Sequence, residues 1–228
     1  MNIADKLVTV AENQQRVFDA GKEAEWSRFW DTLQGKGGRR NYNYCFYSGN
    51  WDDTNFKPKY DLIATGANSM FRAMGVTDLR QALLDAGVTL DLSGCTALAE
   101  TFTNTTTTAL PVINAVGASS LLYTFSGASK LVTIEKLILK DDGSQTFSST
   151  FASASSLENI VIEGVIGNNI SFSSSPKLTH DSLMSIIGAL ADHSGSTATH
   201  TCTLGATNLA KLTDAERAVA TQKGWTLS

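Results

Sequence analysis

The segment Phe125-Ser-Gly-Ala-Ser-Lys-Leu131-Val-Thr-Ile-Glu-Lys-Leu-Ile-Leu139 reappears in altered form as Phe151-Ala-Ser-Ala-Ser-Ser-Leu157-Glu-Asn-Ile-Val-Ile-Glu-Gly-Val165. Each copy begins with phenylalanine, continues in small residues, places leucine six positions later and ends in a β-branched run. Phe102 and Phe172 begin further units, and the intervals between successive phenylalanines are 23 (102 to 125), 26 (125 to 151) and 21 (151 to 172). The chain therefore contains an internal repeat.

This period predicts a fold of stacked coils. A coil of about 20–29 residues can form one short strand, turn and return to begin the next coil above the first. One coil cannot bury its apolar face alone, whereas stacked coils bury phenylalanine on phenylalanine and leucine on leucine. We therefore predict an α+β chain whose residues 69–178 form a short β-rich solenoid. The residues expected to repeat through its core are Phe102, Phe125, Phe151, Phe172, Leu131, Leu157 and Leu178.

Residues 1–34 are predicted to form a helical N-terminal segment. Ile3, Leu7, Val10 and Val17 recur at alternating three- and four-residue steps when Gln14 is included in the series, which is the pattern of a coiled-coil seam. Isolated helices of this length are marginal in water, so the segment must pack on the body of the chain or on copies of itself. Of these alternatives, self-association predicts a homo-oligomer, with a trimer favoured.

Residues 35–68 are predicted to form an aromatic-rich N-terminal cap. The aromatic residues considered as ligand contacts are Tyr42, Tyr44, Tyr47, Trp51 and Tyr60. Ring faces at this density could stack on the C–H faces of pyranose sugars, or they could close the end of the stacked coils, which is the interpretation we favour. Residues 179–228 are predicted to form a C-terminal cap that contains helices, because Thr213 followed by Glu216 is a capping box.

Composition bears on partners and compartment. The net charge of -4 and the pI near 5.3 argue against nucleic-acid binding, which requires a basic surface. No run of about 18 apolar residues exists, so we expect neither a secretion signal nor insertion into a membrane. The three cysteines, Cys45, Cys95 and Cys202, are widely spaced, so they predict small buried side chains rather than disulfides or a zinc site.

The sequence offers little for catalysis. His180 and Asp181 are typical of a helix start, and His193 lies in a Gly/Ser-rich loop. His200 and Cys202 would share one face of a strand, but two ligands do not make a metal site. Motifs for nucleophilic hydrolysis, zinc proteolysis and nucleotide binding are absent from the sequence. We therefore expect neither enzymatic activity nor a cofactor or catalytic metal.

The repeat units resemble the BspA-type leucine-rich repeats of bacteria, and the chain as a whole resembles repeat proteins of gut Firmicutes and their phages. The segments that carry the second resemblance are residues 1–7 (MNIADKL), 51–60 (WDDTNFKPKY), 137–139 (LIL), 163–167 (EGVIG), 204–212 (LGATNLAKL) and 223–227 (KGWTL). The resemblance implies a short leucine-rich-repeat solenoid with no known catalysis. It associates the bacterial proteins with adhesion and the phage-encoded ones with tail or baseplate positions.

Our first functional hypothesis is a non-enzymatic binding or structural component of a phage or prophage tail. Its partners would be other tail proteins or a glycan or protein on the host surface, and it would reside in the virion, or in the bacterial cytoplasm before assembly. A BspA-like adhesin that binds host glycan or matrix protein is the alternative, with an export route that the sequence does not show. A polysaccharide hydrolase is a third class, which would require a cleft with paired carboxylates.

Overall fold

The computed structural model describes residues 21, 24–25, 27–31, 38–48 and 50–228. The strands are β1 (Arg40–Asn41), β2 (Leu62–Gly66), β3 (Leu90–Asp91), β4 (Ala109–Asn114), β5 (Thr133–Ile138), β6 (Asn159–Glu163), β7 (Ile170–Ser171), β8 (His200–Thr203) and β9 (Trp225–Leu227). The helices are α1 (Leu79–Ala86), α2 (His180–Ala189), α3 (Ala206–Leu209) and α4 (Asp214–Gln222), and residues 27–31 are also helical. The predicted seam residues Ile3, Leu7, Val10 and Val17 lie outside the described residues.

The predicted fold class is wrong. The described strands form three separate parallel sheets, in the orders β1-β2-β3, β4-β5-β6 and β7-β8-β9, instead of one elongated solenoid. Helix α1 lies between β2 and β3 in the chain, and α2 lies between β7 and β8, so the protein is a mixed α/β fold. Strand pairing does not continue from β3 to β4 or from β6 to β7.

Phenylalanine side chains form one stack through the core. Consecutive ring centroids are 5.4, 5.3, 5.6, 5.2 and 4.4 Å apart along the series Phe46, Phe71, Phe102, Phe125, Phe151 and Phe172. The rings are close to parallel, and all six side chains are buried. The leucines that follow the last three phenylalanines at the same interval, Leu131, Leu157 and Leu178, are also fully buried. Apolar burial on this scale is the main stabilising contribution to the fold.

The turns that carry the phenylalanines share one backbone conformation. In five successive turns the residues two before and two after phenylalanine have positive φ: Tyr44 and Ser48, Ser69 and Ala73, Glu100 and Asn104, Tyr123 and Gly127, Ser149 and Ser153. The N–H of Phe102 donates to the carbonyl of Thr124 at 2.8 Å, and that of Phe125 donates to Thr150 at 2.9 Å. These backbone N–H groups of the turns therefore donate toward the following unit, and the bonds fix the spacing of the side chains that each turn exposes.

Buried threonines return hydrogen bonds in the opposite direction. Three turns have threonine immediately before phenylalanine, and each of these side chains is at most 1% exposed. Their hydroxyls donate to carbonyls of the preceding unit at 2.8–2.9 Å, from Thr101 to Ala67, Thr124 to Leu98 and Thr150 to Leu121. A buried hydroxyl without a partner would cost about 1–3 kcal/mol. These bonds explain why threonine is tolerated inside the core.

Helix α2 covers the edge of the middle sheet. Its serines replace the missing neighbour of β6: Ser182 Oγ accepts from the N–H of Ile160 at 3.0 Å, and Ser185 Oγ accepts from Ile162 at 2.8 Å. Covering an edge in this way prevents pairing with another chain. The predicted capping box at the start of α4 is confirmed, with Thr213 and Glu216 bonded reciprocally. None of the helices within the described residues is both long and apolar enough to cross a bilayer.

Candidate binding surface

Exposed tyrosines stand on the turns at one side of the phenylalanine stack. Tyr44, Tyr47 and Tyr123 are 65, 46 and 42% exposed, respectively. The rings of Tyr44 and Tyr47 meet edge to face, with centroids 6.5 Å apart. We call the surface formed by Tyr44, Tyr47, Arg72, Glu100 and Tyr123 the tyrosine–arginine face. Large exposed aromatic side chains with few rotatable bonds are typical of binding surfaces, because little conformational entropy is lost when they bind.

The charged residues of this face neutralise each other. The guanidinium of Arg72 forms an ion pair with the carboxylate of Glu100, and its central carbon lies 5.7 Å from the centroid of the Tyr47 ring. Both charged side chains remain 35% exposed. At this exposure the ion pair adds little stability, so we assign its importance to the orientation of polar groups. Aromatic and polar groups are thus placed together without net charge.

The face takes its geometry from the turns. Tyr44, Glu100 and Tyr123 each lie two residues before a stacked phenylalanine, whereas Tyr47 and Arg72 each lie one residue after one. The N–H of each residue two before a stacked phenylalanine donates to the carbonyl of the residue just before the equivalent position on the next turn, as from Glu100 to Leu122. The rings beneath them are stacked at 5.2–5.6 Å between Phe71 and Phe151. The exposed side chains therefore stand on a rigid base, which pre-organises them for binding.

The structure divides the five aromatic residues that the sequence grouped as ligand contacts. Tyr44 and Tyr47 are exposed and in contact, as described above. Tyr42 is only 1% exposed and packs on Phe46 with a centroid distance of 6.1 Å. Trp51 packs against the core and also contacts Phe46, while Tyr60 is 37% exposed. One part of this group therefore closes the core and another part faces solvent.

A cleft of about 730 Å³ lies beside the same end of the core. It is bordered by helical residues 27–31, the segment 53–59 and helix α1. Its polar groups are largely engaged with one another: Asp53 accepts from the N–H and hydroxyl of Thr77, and Lys59 pairs with Asp31. Because these contacts occupy the charged groups, the cleft offers less chemistry to a ligand than its volume suggests.

The carboxylates of several turns are held in their ionised form. Hydrogen bonds from the hydroxyl and N–H of Thr54 lower the pKa of Asp52, and bonds from the N–H and hydroxyl of Ser144 lower that of Asp142. Each carboxylate thus accepts from the N–H of the residue two positions later and closes a local turn. These carboxylates therefore stabilise their turns.

The histidines and cysteines are not arranged for metal binding. Within the described residues, no group of three or more His, Cys, Asp or Glu side chains is placed to hold an ion. Burial raises the pKa of the Cys202 thiol to about 12, which disfavours the thiolate that a metal requires. The rings of His193 and His200 are stacked at 3.7 Å and nearly parallel. An ion in the plane of one ring would lie well out of the plane of the other, so the pair cannot chelate.

Sequence reasoning missed Arg72, Glu100 and Tyr123. Their positions in the repeat could have identified them. Arg72 follows its phenylalanine by one residue, as Tyr47 does, and Glu100 and Tyr123 precede theirs by two, as Tyr44 does. The repeat could have revealed this, had the exposed positions been aligned along with the buried ones. In comparisons with protein-family models, curated proteins and solved structures, the chain gives no match. The chemistry of the face is therefore inferred from the residues of this chain.

Proposed function

We propose that this chain is a non-enzymatic binding protein that attaches to an uncharged glycan on a host cell surface through the tyrosine–arginine face. The observation that carries the proposal is the exposure of Tyr44 and Tyr47 beside the Arg72–Glu100 ion pair. Sugars present C–H faces that pack on aromatic rings and hydroxyls that both donate and accept hydrogen bonds. The face supplies rings, guanidinium donors and carboxylate acceptors together.

The charge of the face favours a neutral ligand. An anionic glycan would bind Arg72 only in competition with Glu100, and a cationic one would meet the same difficulty from Arg72. Hydroxyl groups can bond to the free lone pairs and N–H groups of both residues without separating them. The proposal is therefore specific to neutral glycans.

We place this binding protein on a phage or prophage tail, as a receptor-binding or baseplate-associated component. This role is what the resemblance of the six sequence segments to phage-encoded repeat proteins implies, and residues 1–34 would join copies into a homo-oligomer. A bacterial surface adhesin would use the same face for host glycan or matrix protein. Tail genes beside the coding sequence would support the first role, and a surface-protein operon would support the second.

The test is binding of the full chain to an array of neutral and charged bacterial glycans, followed by calorimetry on the best ligand. We expect Tyr47→Ala and Arg72→Gln each to weaken binding at least about tenfold, which corresponds to about 1.4 kcal/mol. Tyr60→Ala removes an exposed tyrosine outside the face and is the matched control. Unchanged affinity in both face variants, or binding of charged glycans alone, would overturn the proposal.

A further inference from the structure

Two histidine rings lie face to face near the C-terminal end of the chain. His193 belongs to the loop at residues 191–199, and His200 is the first residue of β8. Their ring centroids are 3.7 Å apart and the ring planes differ by only 13°. Trp225 of β9 contacts both rings, at 5.6 and 5.4 Å, and is almost completely buried.

His193 supplies two of the contacts that attach the loop to the rest of the protein. The Nε2 of His193 lies 3.1 Å from the carbonyl of Gly167, to which it can donate, and its backbone N–H donates to the carbonyl of Lys223. The indole N–H of Trp225 donates to Ala191 at the start of the same loop. A change at the ring pair therefore acts on contacts that hold the loop to β9 and to the segment before β7.

We propose that the His193–His200 stack is an acid-sensitive latch, which holds the loop at residues 191–199 while the rings are neutral and releases it when both are protonated. Two neutral imidazoles can stack, whereas two imidazolium rings at this distance repel each other. With Nε2 bonded to Gly167, the neutral His193 ring keeps its proton on that nitrogen. Once one ring of the stack is protonated, the other must accept its proton beside a positive charge.

The charged groups around the pair act in both directions. Asp192 is the carboxylate of the loop; its oxygen accepts from the N–H of Ser194, and its negative charge attracts the adjacent His193 when that ring is charged, which offsets part of the repulsion. Lys223, after α4, places a positive charge near Asp192, and its ammonium is bonded to carbonyls at the end of α2. Cys202 on β8 carries a thiol that burial keeps neutral. His180, on α2, lies outside the stack, beside the carboxylates of Asp181 and Glu216.

The direction of the pH effect follows from the environment of His200. Burial and then the charge of His193 lower the pKa of His200 from 6.5, so the folded protein binds its proton more weakly than the unfolded chain. The contribution of the stack to stability is thus fully present above pH 6.5 and is lost as the pH falls below that value. Release is accordingly expected in mildly acidic solution.

Hydrogen exchange of the full chain at pH 7.5 and 5.5, expressed as protection factors, tests the latch. We expect protection of residues 191–203 and 223–227 to fall at least about tenfold at the lower pH, while β4 and β5 keep theirs. His200→Phe retains a stacking ring without a charge and should abolish the change. His180→Gln, outside the stack, should respond as the natural chain does. Equal loss of protection in His200→Phe and the natural chain would overturn the proposal.

Proton NMR of the natural chain provides a second test, which does not depend on how the variants fold. The C–H resonances of His200 should titrate below pH 6.5, and His193→Gln should shift that titration upward. Titration of His200 at pH 6.5 or above, or a midpoint that His193→Gln leaves unchanged, would refute the latch.

Discussion

Replacement of Phe125 by alanine should destabilise the protein more than any exposed substitution. The ring of Phe125 is fully buried, with Phe102 at 5.6 Å on one side and Phe151 at 5.2 Å on the other. Truncation of a core phenylalanine costs about 3–5 kcal/mol, and more where the surroundings cannot collapse into the space. The neighbouring rings are fixed by backbone hydrogen bonds between their turns, so collapse is restricted. We therefore expect a loss of about 4–5 kcal/mol.

Urea unfolding followed by circular dichroism, with a thermal melt in parallel, measures this loss. For a chain of this length about 1 kcal/mol corresponds to about 2–4 °C, so the Tm should fall by about 8–20 °C. Phe125→Leu keeps most of the apolar volume and should cost only about 1–2 kcal/mol. Val161→Ala, at a side chain that is 49% exposed, should cost under about 0.5 kcal/mol. A loss below about 1 kcal/mol in Phe125→Ala would refute a continuous, rigid stack.

Two further predictions concern backbone strain and acid stability. Gly127→Ala places a methyl group against Asn104 Oδ1 at a position with φ of 69°, so it should destabilise the protein by about 1–2 kcal/mol. Gly188→Ala adds a methyl group in open space on α2 and should stabilise the protein by about 0.5 kcal/mol. Equal Tm changes for the two variants would contradict this reasoning. Bonds from Thr213, and then from His180, lower the pKa of Glu216 from 4.5, so its contribution to stability is lost as the pH falls below 4.5. Urea unfolding at pH 6.5 and 3.5 should show a smaller acid loss in Glu216→Gln, and parallel losses would refute the assignment.

The repeated core was visible in the sequence because burial imposes a strict rule on residue type. A phenylalanine followed six residues later by leucine is preserved where both side chains are enclosed, as at Phe125 with Leu131 and Phe151 with Leu157. The capping box of α4 was visible for a similar reason, since only a few residue types can satisfy the free N–H groups of a helix start. Such local constraints leave a readable pattern in one sequence.

The division into three sheets was not visible, because strand pairing depends on the length of every connection between strands. The unequal spacing of the phenylalanines was known, but it does not show where pairing stops. Register shifts within the middle sheet, between Ile134 and Leu137, and the serines of α2 that cover β6 are settled by packing between distant segments. Helix α1 also interrupts a stretch whose phenylalanine spacing alone gave no reason for a helix.

The backbone of the turns bears on the proposed binding role. The position two residues before phenylalanine has positive φ, which glycine and asparagine adopt readily and other residues adopt at a cost of about 1 kcal/mol. Tyr44, Glu100 and Tyr123 nevertheless occupy this position, with φ of 59, 58 and 54°. Their side chains are not needed to fill the core, since all three are at least partly exposed. The same conformation recurs at Ser69 and Ser149, so it belongs to the turn itself rather than to binding. It fixes the direction in which Tyr44, Glu100 and Tyr123 leave their turns, and thereby the geometry of the tyrosine–arginine face.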